Sequence, residues 1–161
     1  MRTWQTHSVI SISDFVVFCN RTFDGYEGAL DRLDDATVNQ VPAAGPATAS
    51  TPAQLVTHAL GATAWWTEHM VAGQEIDRDR DAEFTVKATI AELREALADA
   101  RRRLDAVAPA LAAADGLTGE PSTQRPLGTE WTVGCALIHA YEELAQHLGH
   151  LEITTDLLAP A

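Results

Sequence analysis

Apolar residues recur at three- and four-residue steps in four stretches of this chain, the spacing that places them on one face of an α-helix. The first stretch runs from about Ser8 to Leu33, where Ile12, Phe15, Cys19, Thr22, Tyr26, Leu30 and Leu33 share a face. Gly25 and Gly28 weaken its middle. The second opens at Thr51-Pro-Ala-Gln54, a capping box with proline at the first helical position. It continues to about Ala72, with Gly73 placed to stop it, and its inward stripe reads Leu55, His58, Ala62, Trp65 and His69. The third opens on the capping box Thr89-Ile-Ala-Glu92 and has the clearest seam: Ile90, Leu93, Leu97, Ala100, Leu104, Val107 and Leu111. Pro109 is expected to kink or end it locally. The fourth, from about Glu130 to Leu158, carries Leu137, Tyr141, Leu144, Leu148 and Leu151.

Two loops rich in helix breakers lie between these stretches. Asp34 to Ser50 holds Pro42, Gly45 and Pro46, and Gly116 to Gly128 holds Pro121 and Pro126. The first exceeds the usual connection length, which points to a functional or mobile role. Four long helices, no convincing strand and no internal repeat predict an all-α four-helix bundle, a single domain over residues 1–161.

The last helix also carries chemistry. Glu143 and His147 stand four residues apart, so their side chains stack one turn apart on one face. They lie about 60 to 100 degrees from Leu144 by the helical step, which aims them at a cleft between helices. His58 sits on the apolar stripe of the second helix. A lone core histidine is usually a hydrogen-bonded packing residue, and Glu143 alone reads as a solvated one. Together they are two imidazoles and a carboxylate at a buried edge, and polar atoms there need a partner. A divalent metal supplies one, and bundle cores bind metals with side chains from facing helices. This donor set suits zinc first, with nickel, iron or manganese as alternatives. Three protein ligands leave positions open, the mark of a catalytic site.

The remaining candidates sort around that group. His139 and His150 point further from the stripe than His147; both are expected to support the ligands by hydrogen bonding or to lie at the surface, with His150 an alternative ligand. His69 is about 16 Å along the helix from His58 and cannot share its metal. His7 reads as a surface residue near the terminus. Trp65 reads as packing, whereas Trp66 and Trp131 are candidate walls of a ligand pocket. Cys135 has no base in a fixed sequence relation to it. There is no phosphate-binding glycine loop and no GxSxG elbow.

Composition narrows the partners. A net charge of −12 disfavours nucleic-acid backbones and anionic membranes but leaves open a small thiol or a neutral sugar. With 46% apolar residues the chain is globular. Cys19 and Cys135 fall among apolar neighbours and are expected to be buried free thiols. Neither a signal peptide nor a membrane span is visible, so a cytoplasmic location is expected.

Two stretches resemble the DinB-like metalloenzyme superfamily, and most nearly its mycothiol-dependent branch, which includes the N-terminal domain of mycothiol-dependent maleylpyruvate isomerase. Thr51-Pro-Ala-Gln-Leu-Val-Thr-His58 followed by Ala64-Trp-Trp66 is similar to the family's second helix. Trp131 to Ile138, then Glu142-Glu-Leu-Ala-Gln-His-Leu-Gly-His150, is similar to its last. The resemblance implies a DinB-like four-helix bundle with metal ligands at His58, Glu143 and His147. It also implies mycothiol as thiol co-substrate, S-transfer to small electrophiles as in detoxification, and a homodimer. Many relatives have Asp two residues after the last His and an Arg-Glu pair soon after; Glu152 and Thr155-Asp156 occupy that region here. The isomerase's second domain is expected to be absent, so maleylpyruvate isomerisation itself is not carried over, while a related thiol-dependent isomerisation stays beside S-transfer. A non-catalytic binding bundle, metal-assisted hydrolysis and iron-dependent oxygen chemistry stay open beside S-transfer.

Overall fold

In the computed structural model, which describes residues 10–43, 49–119 and 131–159, four helices carry the fold: α1 (Ile12–Leu30), α2 (Pro52–Ala64), α3 (Ile90–Ala113) and α4 (Val133–Leu158). Among the described residues there is no strand, and no helix is long and apolar enough to cross a membrane. Each helix starts on a hydroxyl: Ser11, Thr51, Thr89 and Thr132 accept a backbone N–H bond from three residues on. At the first three, Asp14, Gln54 and Glu92 complete a capping box. The boxes expected at Thr51 and Thr89 are present. The box at Ser11 sets the start of α1 later than the expected Ser8, which lies outside the described residues, as do His7, Pro121, Pro126 and Glu130. α3 runs through Pro109 and does not end there.

The expected stripes are the core. Phe15, Cys19, Phe23, Tyr26 and Leu30 of α1 pack with Leu93, Leu97, Leu104, Val107 and Leu111 of α3 and with Leu137, Leu144 and Leu151 of α4. Gly25 serves that packing, because a Cβ there would press on the Leu148 side chain. The principal helix neighbours are α2–α4, α1–α4, α1–α3 and α2–α3. Hence α1 and α2 stand on one diagonal of the bundle, and α3 and α4 on the other. That explains the long first loop, which joins helices that are not neighbours. It is also not featureless: a short turn at Thr37–Asn39 buries Val38 completely, and the Asn39 side chain brackets the Ala88 backbone with bonds of 2.8 and 3.0 Å.

The second helix departs from its expected stripe. After Ala64 it continues as a π segment, Trp65–Val71, in which the Ala72 N–H bonds five residues back to the Thr67 carbonyl. The wider turn rotates the later side chains about the helix axis. Thr67, Glu68, Met70 and Val71 are buried, while Trp65 and His69 are half-exposed and stack on each other at 4.2 Å. Gly73, at φ 69°, ends the element where other residues would be strained. The Thr118 N–H and hydroxyl then cap the Met70 and Val71 carbonyls.

The cysteines divide. Cys19 is buried as expected, but Cys135 is exposed. It occupies the first turn of α4, where the Thr132 cap holds its N–H, ahead of the buried run Ala136, Leu137 and Ala140. Burial pushes the Cys19 thiol up to about 12 from 9.0. Native protein at about pH 8 is therefore expected to release one equivalent of chromophore from a disulfide reagent, and two after unfolding. Two fast equivalents from the native protein would contradict the burial of Cys19.

Candidate metal centre

α2 and α4 are direct neighbours, and the three expected ligands meet between them. One donor atom from each of His58, Glu143 and His147 lies within 4.8 Å of the others. Glu143 Oε2 stands 3.6 Å from His58 Nε2 and 3.3 Å from His147 Nε2. Both distances exceed the roughly 2.7–3.2 Å of an ordinary N–H···O bond. Donors about 2.0–2.1 Å from a tetrahedral zinc ion would stand roughly 3.4 Å apart. The two Glu143 spacings match that figure, and the donor set, two imidazoles and a carboxylate, suits a divalent cation.

Two of the three candidate ligands, His58 and Glu143, are held from behind. His58, 7% exposed, presents Nδ1 to Glu83 Oε2 at 2.7 Å, and the Phe84 ring lies against its face at 4.8 Å. Glu83, 6% exposed, is gripped by Arg78 through Nε at 2.6 Å and a terminal nitrogen at 3.0 Å. Next to Glu143 on α4, the Leu144 carbonyl accepts the Tyr26 hydroxyl at 3.0 Å, which ties α4 to α1 one residue from that carboxylate. The other Glu143 oxygen lies 3.4 Å from His139 Nε2, and His139 Nδ1 meets Glu142 at 2.9 Å.

Charge follows this geometry. The His147 imidazole close by, and then that of His58, hold the Glu143 carboxyl far below its usual range despite burial. Glu143 and then Glu83 raise His58 above 6.5, against the opposing effect of burial. Burial alone would raise Glu83, but its bonds with His58 and Arg78 outweigh that and hold it low. In the metal-free protein the His58 contribution to stability is complete below pH 6.5 and fades as pH climbs through its raised value. The Glu143 contribution is complete above pH 4.5 and fades only as pH falls through its depressed value. Both are complete between those limits. The urea midpoint of metal-free protein is therefore expected to fall from about pH 6 to about pH 8.5, and less so in His58→Asn. A midpoint that rises over that interval would contradict the pairing.

The other expected residues are placed less simply. Trp66 and Trp131 stack on each other at 5.0 Å with planes 15° apart, and His139 stands edge-on to both, at 4.9 and 5.5 Å. His150 is exposed, and the support expected of it falls instead to Glu83 behind His58 and to His139 beside Glu143. His139 is thus closer to the group than its helical angle implied. A cavity of about 500 Å³ lies behind Glu83, lined among others by Gly61, Glu68, Arg78 and Arg103; neither tryptophan borders it.

Sequence reasoning missed Glu83 and Arg78. They belong to a run holding Glu75, Asp77, Asp79, Arg80 and Asp81, whose charge density reads as a solvated loop. The one local signal is Gly61 in α2, a glycine inside a capped helix, where an added Cβ would collide with Glu83 Oε1 and sit 3.2 Å from Arg78 Nε.

Comparison with known proteins adds to this geometry. The sequence profile of the family described as mycothiol-S-transferase matches residues 16–159. A solved structure, described as a conserved protein from Enterococcus faecalis, resembles this chain with a TM-score of 0.62 at 15% identity. The likeness spans 93% of this chain and 98% of that one, and is one of fold. No curated protein matches the sequence.

Proposed function

The chain belongs to the mycothiol-S-transferase family, as its second and last helices implied, and from that premise we propose that it is a divalent-metal-dependent S-transferase using mycothiol or a similar small thiol. The observation that carries this reading is the convergence of His58 Nε2, Glu143 and His147 between α2 and α4. A divalent metal bound there, zinc by preference, would supply the Lewis acidity that makes a thiol lose its proton near neutral pH.

The chain's own residues do the rest. His58 and His147 offer neutral nitrogen donors, and Glu143 a carboxylate that lowers the net charge of the site. His139 holds the second oxygen of Glu143, which leaves Oε2 toward the two imidazoles. The Trp66–Trp131 stack beside His139 supplies a rigid apolar wall against which a small electrophile can lie. In the reaction, the thiol S–H breaks and its proton leaves to solvent. The sulfur forms a bond to the electrophilic carbon, and the bond from that carbon to the leaving group breaks with its electron pair.

The test compares metal-stripped and zinc-, nickel- or manganese-reloaded protein for conjugation of mycothiol to a chromogenic aryl halide, with cysteine as control thiol. Conjugation restored by metal and greater with mycothiol supports the reading. Conjugation equal in the stripped protein, or protein that takes up no metal, overturns it.

A further inference from the structure

We infer that Glu83, clamped by Arg78, is the positioning residue that makes His58 a ligand through Nε2; this rests on the proposed metal centre. Three independent features of the molecule point there. The first is direction. Glu83 Oε2 lies 2.7 Å from His58 Nδ1, and a carboxylate accepts, so Nδ1 carries the proton and donates it. In the neutral ring the Nε2 lone pair is then left on the side that faces Glu143 and His147. A histidine proton on the other nitrogen would close that side to a cation.

The second feature is the depth and satisfaction of the carboxylate. Glu83 is the one buried residue between Gly73 and Ile90, in a segment otherwise exposed or half-exposed. A buried carboxylate is costly unless paired, and here both oxygens are engaged: Oε1 by Arg78 Nε, Oε2 by Arg78 and His58. Arg78 neutralises Glu83, so the pair orients the imidazole without adding net charge behind it.

The third is the space made for it. Gly61 lies one turn along α2 from His58, and its missing Cβ leaves the room that Glu83 Oε1 fills. The segment carrying Glu83 is also pinned to α2, since Gln54 Nε2 donates to the Phe84 carbonyl at 2.7 Å while the Phe84 ring backs His58. A bare turn of helix, a bidentate arginine and a side-chain clasp all serve one carboxylate against one ring nitrogen. Groups that orient a metal-binding histidine in this way typically contribute 10- to 100-fold to metal affinity.

The experiment measures zinc affinity by chelator competition for wild type, Glu83→Gln, Gly61→Ala and His147→Ala. It also uses long-range nitrogen NMR of the metal-free proteins to find which His58 nitrogen carries the proton. Glu83→Gln keeps the size of the side chain, but its single amide oxygen cannot satisfy both His58 and Arg78. Gly61→Ala keeps the charge and displaces the carboxylate, so it serves even if Glu83→Gln folds poorly. Both are expected to bind zinc about 10- to 100-fold more weakly and to turn the Nδ1–H form of His58 into a mixture. A loss of packing alone would not move that proton. Wild-type affinity and an unchanged proton position in both variants, with zinc lost in His147→Ala, overturn the positioning role and leave the metal centre standing. A wild-type protein that binds no zinc removes both.

Discussion

His147→Ala is expected to abolish stoichiometric zinc binding and to lower thiol conjugation on the order of a thousandfold. A metal-supplied Lewis acid is worth several kcal/mol, and each 1.4 kcal/mol is about tenfold in rate. The substitution takes one of two imidazoles from a three-donor group and removes the largest influence on the Glu143 carboxyl. The remaining pair, His58 and Glu143, spans two helices without the third donor that completes the cluster. Because the His147 side chain is only partly buried, the metal-free variant should unfold close to wild type. Metal content by elemental analysis, conjugation rate and thermal unfolding read these three effects together. A variant that retains one zinc per chain would sink the ligand assignment.

The largest effect on stability is expected at Phe23→Ala, about 3–5 kcal/mol. That is a large share of the roughly 5–15 kcal/mol that holds a domain of this size folded. The ring is fully buried where α1 meets α3, and the Arg101 guanidinium lies over it at 5.4 Å. Arg101 then reaches back to Asp24 at 2.7 Å and to the Asn20 carbonyl at 3.1 Å, so a cavity there loosens a cross-helix clasp as well. α1 carries none of the three donor residues. The folded fraction of Phe23→Ala should therefore bind zinc as wild type does, which separates stability from site chemistry. A loss under about 1 kcal/mol in urea titration would show that the interior collapses around the gap.

Periodicity made the bundle legible, because Phe15, Cys19, Tyr26 and Leu30, or Leu93, Leu97 and Leu104, can be buried together only on a helix. Hydroxyls at Thr51 and Thr89 made the starts legible through local chemistry alone. The donor group was half legible: Glu143 and His147 share a face by spacing, whereas His58 joins them only through the α2–α4 contact, which no local spacing specifies. The residues that sequence misplaced depend on three-dimensional burial. Glu83 is chemically indistinguishable from Glu75 or Asp81 until the segment folds over Gly61. Cys135 looked like Cys19 in its neighbours but falls in a first turn that leaves it exposed. His139 stands off the apolar stripe, yet two tryptophans from different parts of the chain pack against it.

The π segment at Trp65–Val71 divides one continuous helix into two reading frames. Before it, every third or fourth residue leads to His58; within it, the inward positions are Thr67, Met70 and Val71. Winding the same residues as an unbroken α-helix, with none removed, would turn each later side chain by about 100 degrees. Glu68 would swing away from Arg103, its partner at 2.7 Å, and the Met70 carbonyl away from the Thr118 N–H. A related chain with an unbroken α-helix here would thus correspond to this one residue for residue only on one side of the segment. Its alignment would need a single-residue gap between Trp65 and Val71 before any downstream position could be compared.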